Sequence, residues 1–166
     1  MRSRAFVALV VAALAASVFA FAAEAEPPWG PETPPFNIEV ILRSVSGGSG
    51  FGHVKFRQPN DGAKIVYLDT WIRDLAPNQA YRLQRAVDTL LDGHCPRVET
   101  DWVTLGKGLT PRAITTDDQG TGREDLFRDL GAAPVGRQFD INFRVIDAIT
   151  SAPVLESGCY RFTVSP

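Results

Sequence analysis

The sequence predicts an antiparallel β-sandwich of about eight strands. Apolar residues recur with period two, turn-forming clusters interrupt the chain at short intervals, and no strand–helix–strand alternation or internal repeat accompanies them. The clearest alternation sets Phe139, Ile141, Phe143 and Val145 against Gln138, Asp140, Asn142 and Arg144. Such a pattern describes half-buried strands, with one face on a core and the other in water.

The first segment is read apart from the fold. Arg2 and Arg4 precede an apolar run from Ala5 to Ala23, and small-residue exits follow at Ala20-Phe21-Ala22 and Ala23-Glu24-Ala25. That order is the signature of a secretory signal peptide over residues 1–25, and it predicts an exported, secreted or periplasmic protein with no membrane span after cleavage. An uncleaved anchor is the alternative, because the apolar run is long for a signal. Residues 26–35 contain Pro27, Pro28, Pro31, Pro34 and Pro35 and read as an extended, polyproline-like lead.

The sandwich is expected over residues 36–166. Phe36, Ile38, Val40 and Leu42 share one face of the first strand, and Val54 and Phe56 lie inward on the second. Ser46-Gly47-Gly48-Ser49-Gly50 separates these two. In the third strand Val66, Leu68 and Ile72 oppose Tyr67, Asp69 and Trp71. Pro59-Asn60-Asp61-Gly62 and Asp117-Asp118-Gln119-Gly120 carry hairpin chemistry. Residues 79–91 read either as a partial helix presenting Leu83, Ala86, Val87, Leu90 and Leu91, or as a strand running into a loop.

Charge narrows the range of partners. Removing Arg2, Arg4 and Glu24 from 17 basic and 19 acidic side chains leaves 15 and 18, a mildly acidic mature chain with no polybasic run. Neither nucleic acid nor an anionic membrane surface would be drawn to it. The two cysteines, Cys95 and Cys159, are expected to form one disulfide in an oxidising compartment. Their wide spacing lacks the C-x-x-C arrangement of a redox-active pair.

Several segments, taken in order over residues 51–164, resemble the copper/zinc superoxide dismutases. Gly52-His53-Val54-Lys55-Phe56-Arg57-Gln58 is similar to that family's first strand, and Ile72-Arg73-Asp74-Leu75-Ala76-Pro77-Asn78 to the strand end and turn before its copper-binding strand. Ile114-Thr115-Thr116-Asp117-Asp118-Gln119-Gly120 resembles a later hairpin, and the placement of the two cysteines follows the family's disulfide. The resemblance implies a Greek-key sandwich, of immunoglobulin-like or dismutase-like type. It does not imply dismutase activity. The stretch matching the copper strand, Ala80-Tyr81-Arg82-Leu83-Gln84-Arg85, has no histidine, and neither has Phe139-Asp140-Ile141-Asn142-Phe143. Imidazole ligands are what such a copper site needs.

No catalytic or metal-binding set is expected elsewhere, and no cofactor. His53 and His94 are the two histidines; with carboxylates they would make the alternative, a metal-dependent exported enzyme. Asp117, Asp118, Glu124 and Asp125 do not have the spacing of a calcium loop. Gly47-Gly48-Ser49-Gly50 precedes no helix, so it offers no phosphate-binding N-terminus, and Ser49 lacks the second glycine of a nucleophile elbow. What remains is aromatic. Tyr67 and Trp71 share a strand face, which is a candidate binding platform if it is wet and part of the core if the strand is covered on both sides; Trp102 can join either surface. The expected role is a non-enzymatic module that binds an unknown protein or envelope component, with a purely structural envelope protein as a further alternative.

Overall fold

The computed structural model describes residues 38–95 and 102–166. The expected signal segment, the proline-rich lead and Phe36 lie outside them. Among the described residues there are twelve β-strands and no helix: β1 (Ile38–Ser44), β2 (Phe51–Arg57), β3 (Ile65–Arg73), β4 (Ala80–Asp88), β5 (Val103–Thr104), β6 (Gly106–Lys107), β7 (Thr110–Pro111), β8 (Ile114–Thr115), β9 (Gly122–Asp129), β10 (Gln138–Asp147), β11 (Pro153–Ser157) and β12 (Tyr160–Thr163). Four of these have two residues each, so the longer strands match the expected number. Residues 79–91 resolve as a strand running into a loop, not a helix.

All twelve strands belong to one sheet, ordered β5-β4-β10-β11-β1-β2-β3-β9-β6-β7, with β12 beside β10 and β8 beside β4. It curls into a nearly closed barrel. β5 pairs with β4 at one margin and β6 lies parallel to β9 at the other, so the short stretch through Leu105 spans the remaining gap. All other pairings are antiparallel.

The alternation seen in the sequence sets what faces inward. Val40, Leu42, Val54, Phe56, Leu68 and Ile72 are buried, as are Leu83, Phe143, Val145 and Leu155 across the barrel. Phe56 packs edge-on against Phe143 and Phe162, with ring centroids 6.0 and 4.7 Å apart. The chain end is pinned by a buried amide. Gln58 Nε2 donates to the Ser165 carbonyl at 3.0 Å, and Ser165 N donates to Gln58 Oε1 at 2.9 Å.

Two turns lock together where β3 leads into β4. Leu75 N donates to the Gly120 carbonyl (3.2 Å), Asn78 N to the Asp117 carbonyl (3.0 Å), and Thr116 Oγ1 to the Ala76 carbonyl (2.7 Å). Asp117 Oδ1 accepts from the backbone of Gln119 and Thr121, both at 2.9 Å, so this acidic residue serves the hairpin.

The disulfide forms between Cys95 and Cys159, with Cα atoms 5.4 Å apart. It closes a loop of 64 residues, which the chain-entropy argument values at about 4 kcal/mol. β11 and β12 run along the same edge of β10 and are separated by Gly158 and Cys159, so the bridge attaches at that break.

Candidate functional site

The β3 alternation places Val66, Leu68, Thr70 and Ile72 inward and Tyr67, Asp69, Trp71 and Arg73 outward. Tyr67 and Trp71 are 45% and 37% exposed, and the strands on either side extend their face. β2 sets Phe51 across from Arg73, His53 across from Trp71 and Arg57 across from Tyr67. β9 sets Phe127 beside Tyr67 and Arg123 beside Trp71.

One corner of this face is built from rings and guanidinium groups. Phe51 meets Trp71 edge-on at 6.1 Å, and the guanidiniums of Arg43 and Arg73 lie over the Phe51 ring at 5.1 and 5.0 Å. Arg73 also reaches the Trp71 ring, at 5.7 Å. Stacking of this kind holds arginine side chains in place at little cost to their hydration. Asp69, which stands between the two aromatics, is engaged by Arg123 through a two-pronged contact of 3.0 and 2.9 Å. The carboxylate is thereby matched, and the aromatics and arginines define the exposed chemistry.

The two histidines are not brought to a shared site. His53 on β2 pairs with Glu39 of β1. His94 lies in the loop after β4, where its backbone and ring contact Asp92. Among the described residues no group of three or more His, Cys, Asp or Glu side chains has the geometry to hold a metal ion.

The polar face of β10 departs from expectation. Asp140, Asn142 and Arg144 were expected in water, yet they are 1%, 8% and 6% exposed. Leu91, Gly93 and Trp102 come up against that face. Asp140 accepts from Arg161 Nε at 3.0 Å and from Gly93 N at 2.7 Å, and Arg161 also donates to the Leu91 carbonyl at 2.7 Å. The hydrogen bond from Arg161, followed by that from Gly93, holds the Asp140 carboxyl below the usual carboxylate range. Arg144 Nε donates to Gln84 Oε1 at 2.7 Å, and its guanidinium lies 4.3 Å from the Trp102 ring centre. Trp102 therefore joins this covered pocket beside the disulfide and not the β3 platform. Gln84 and Asn142 fall within the stretches that the resemblance matches to copper-ligand strands, and Gln84 is occupied by Arg144 and by Thr104 Oγ1 at 3.0 Å.

A second cavity was not foreseen from the sequence. It has a volume of about 260 Å³ and opens between β4 and β9, where only the short strands span the gap. Val66, Leu68, Phe139 and Phe143 contribute apolar lining, while Arg85 and Arg128 bring charge.

Among the described residues no helix is long and apolar enough to cross a membrane. Comparison with protein-family models, with curated proteins and with solved structures finds no match to this chain.

Proposed function

We propose that the protein is an exported, non-enzymatic binding module that engages a protein or cell-envelope component through the outer face of β3. The observation that carries this is the exposure of Tyr67 and Trp71 together with the Phe51–Arg43–Arg73 corner. Tyr, Trp and Arg dominate the energetically important centres of binding interfaces: the aromatics bury a large area with few torsions to freeze, and the arginine fork makes several directed contacts at once. A disulfide between Cys95 and Cys159 accords with a compartment outside the cytosol and so with removal of residues 1–25 as a signal peptide.

The proposed architecture is the Greek-key sandwich of the superoxide dismutase type, its sheet curled nearly closed, without dismutase chemistry. Its support is the order β11-β1-β2-β3, in which three consecutive hairpin-connected strands are joined by a later strand returning beside the first. The two stretches matched to copper strands, residues 80–85 and 139–143, carry no imidazole, which supports binding over copper chemistry.

The test compares the protein with Tyr67→Ala and Trp71→Ala, singly and together, for co-sedimentation with envelope material from its own host. Loss of one exposed hot-spot aromatic is expected to weaken binding by about tenfold or more. Undiminished binding by the folded double variant would remove the β3 face from the proposal.

A further inference from the structure

Two arginines occupy strand positions that face the barrel interior. On β4, Arg85 lies between the buried Leu83 and the partly buried Val87 in the inward series, and it is paired across the ladder with the core residue Phe143. On β9, Arg128 is paired with the buried Val66. Both are half-buried and both line the cavity between these strands. Among the described residues no carboxylate is paired with either. Arg128 Nη1 reaches the Gly108 carbonyl at 3.4 Å, and Asp129, an acid at the mouth, accepts from Gly131 N at 2.7 Å. Lys64 and Arg137 add positive charge nearby. Lys64 Nζ donates to the Ala133 carbonyl at 3.2 Å, and Arg137 stacks on Phe139 at 5.2 Å.

A pair of like charges turned toward an apolar cavity is unfavourable unless something answers them. Burial lowers the pKa of Arg85 from its ordinary value, and the adjacent Arg128 charge adds to that. Both effects would be relieved by an anion placed between the two groups. The planar fork of arginine suits a carboxylate in particular, through paired N–H···O contacts.

We infer that the cavity binds a small amphiphilic anion, a single-chain carboxylate whose head sits between Arg85 and Arg128 and whose tail lies among Val66, Leu68, Phe139 and Phe143. The volume limits the tail. A cavity of about 150 Å³ accepts the six carbons of benzene, so 260 Å³ takes about ten carbons by proportion. This ligand site is separate from the β3 face, since its lining residues project to the opposite side of the sheet.

The experiment is isothermal titration of the protein purified from its host with sodium decanoate, 1-decanol and decyltrimethylammonium, each below its aggregation limit. Saturable one-to-one binding of decanoate is expected, at least tenfold tighter than either comparison ligand. Arg85→Met and Arg128→Met should each weaken decanoate at least tenfold and leave decanol unchanged, which corresponds to a loss of about 1.4 kcal/mol. Ala133→Phe, at the mouth, should weaken both decanoate and decanol. Arg85→Gln and Arg128→Gln serve in place of any methionine variant that fails to give a native circular dichroism spectrum. Equal affinity for decanoate and decanol, undiminished binding by the arginine variants, or no saturable binding of decanoate would each overturn the inference.

Discussion

Gly120 offers the sharpest test of how the barrel is held together. Its φ is +73°, and a Cβ built there would lie 2.2 Å from the Leu75 carbonyl oxygen, a backbone atom that cannot rotate away. Gly62 has nearly the same backbone, φ +77°, and open space around it. Alanine at either position incurs the left-handed penalty of roughly 1–2 kcal/mol. At position 120 the new methyl must also push the 75–78 turn aside. That strains the packing by about 1–3 kcal/mol and weakens the Leu75 N to Gly120 O hydrogen bond, worth about 1 kcal/mol. Gly120→Ala is therefore expected to lose about 3–6 kcal/mol, and Gly62→Ala about 1–2 kcal/mol. Urea unfolding followed by tryptophan fluorescence, with the disulfide intact, measures both. Equal losses for the two variants would refute the claim that contact between the 75–78 and 117–121 turns, and not backbone conformation alone, makes glycine necessary.

Two further outcomes follow from the same structure. Replacing Cys95 and Cys159 together with serine should cost about 4 kcal/mol of unfolding free energy, and a loss below about 1 kcal/mol would show that the bridge does not constrain the unfolded chain. Asp140 is held charged by Arg161 and Gly93, so its folded-state pKa lies below the unfolded value of about 3.9. Its contribution is complete above that value and disappears as pH falls through the folded value. The stability gap between the protein and Asp140→Asn should thus be widest near neutral pH and narrow as pH falls below about 3.9, as read from urea midpoints between about pH 2 and 7. A gap that does not change with pH would contradict this.

The strand faces were legible wherever one side meets water and the other meets the core. β1, β2 and β3 show it, but alternation alone left open whether Tyr67 and Trp71 meet water or a second packed layer, and their exposure is seen only in the folded sheet. The disulfide was legible because only two cysteines are present. β10 misled on one point. Its polar residues are covered because distant residues, Gly93 and Trp102 among them, fold back over Asp140 and Arg144, and local period carries no trace of that. The cavity was hidden for a related reason. Arg85 and Arg128 look like surface charges in a linear pattern, and only the pairing of their strands with Phe143 and Val66 turns them inward. The short strands β5 to β8 were too brief to leave a periodic signal.

Photo-crosslinking in the native host shows whether the β3 face is where the protein meets its partner. A photoreactive residue would be placed at position 67 or 71, and in a control at Arg82, an exposed residue of β4 in another part of the sheet. One discrete adduct is expected from positions 67 and 71, lost when Phe51 or Arg73 is also replaced with alanine, and none from position 82. Adducts from position 82 with none from the β3 face would contradict that expectation.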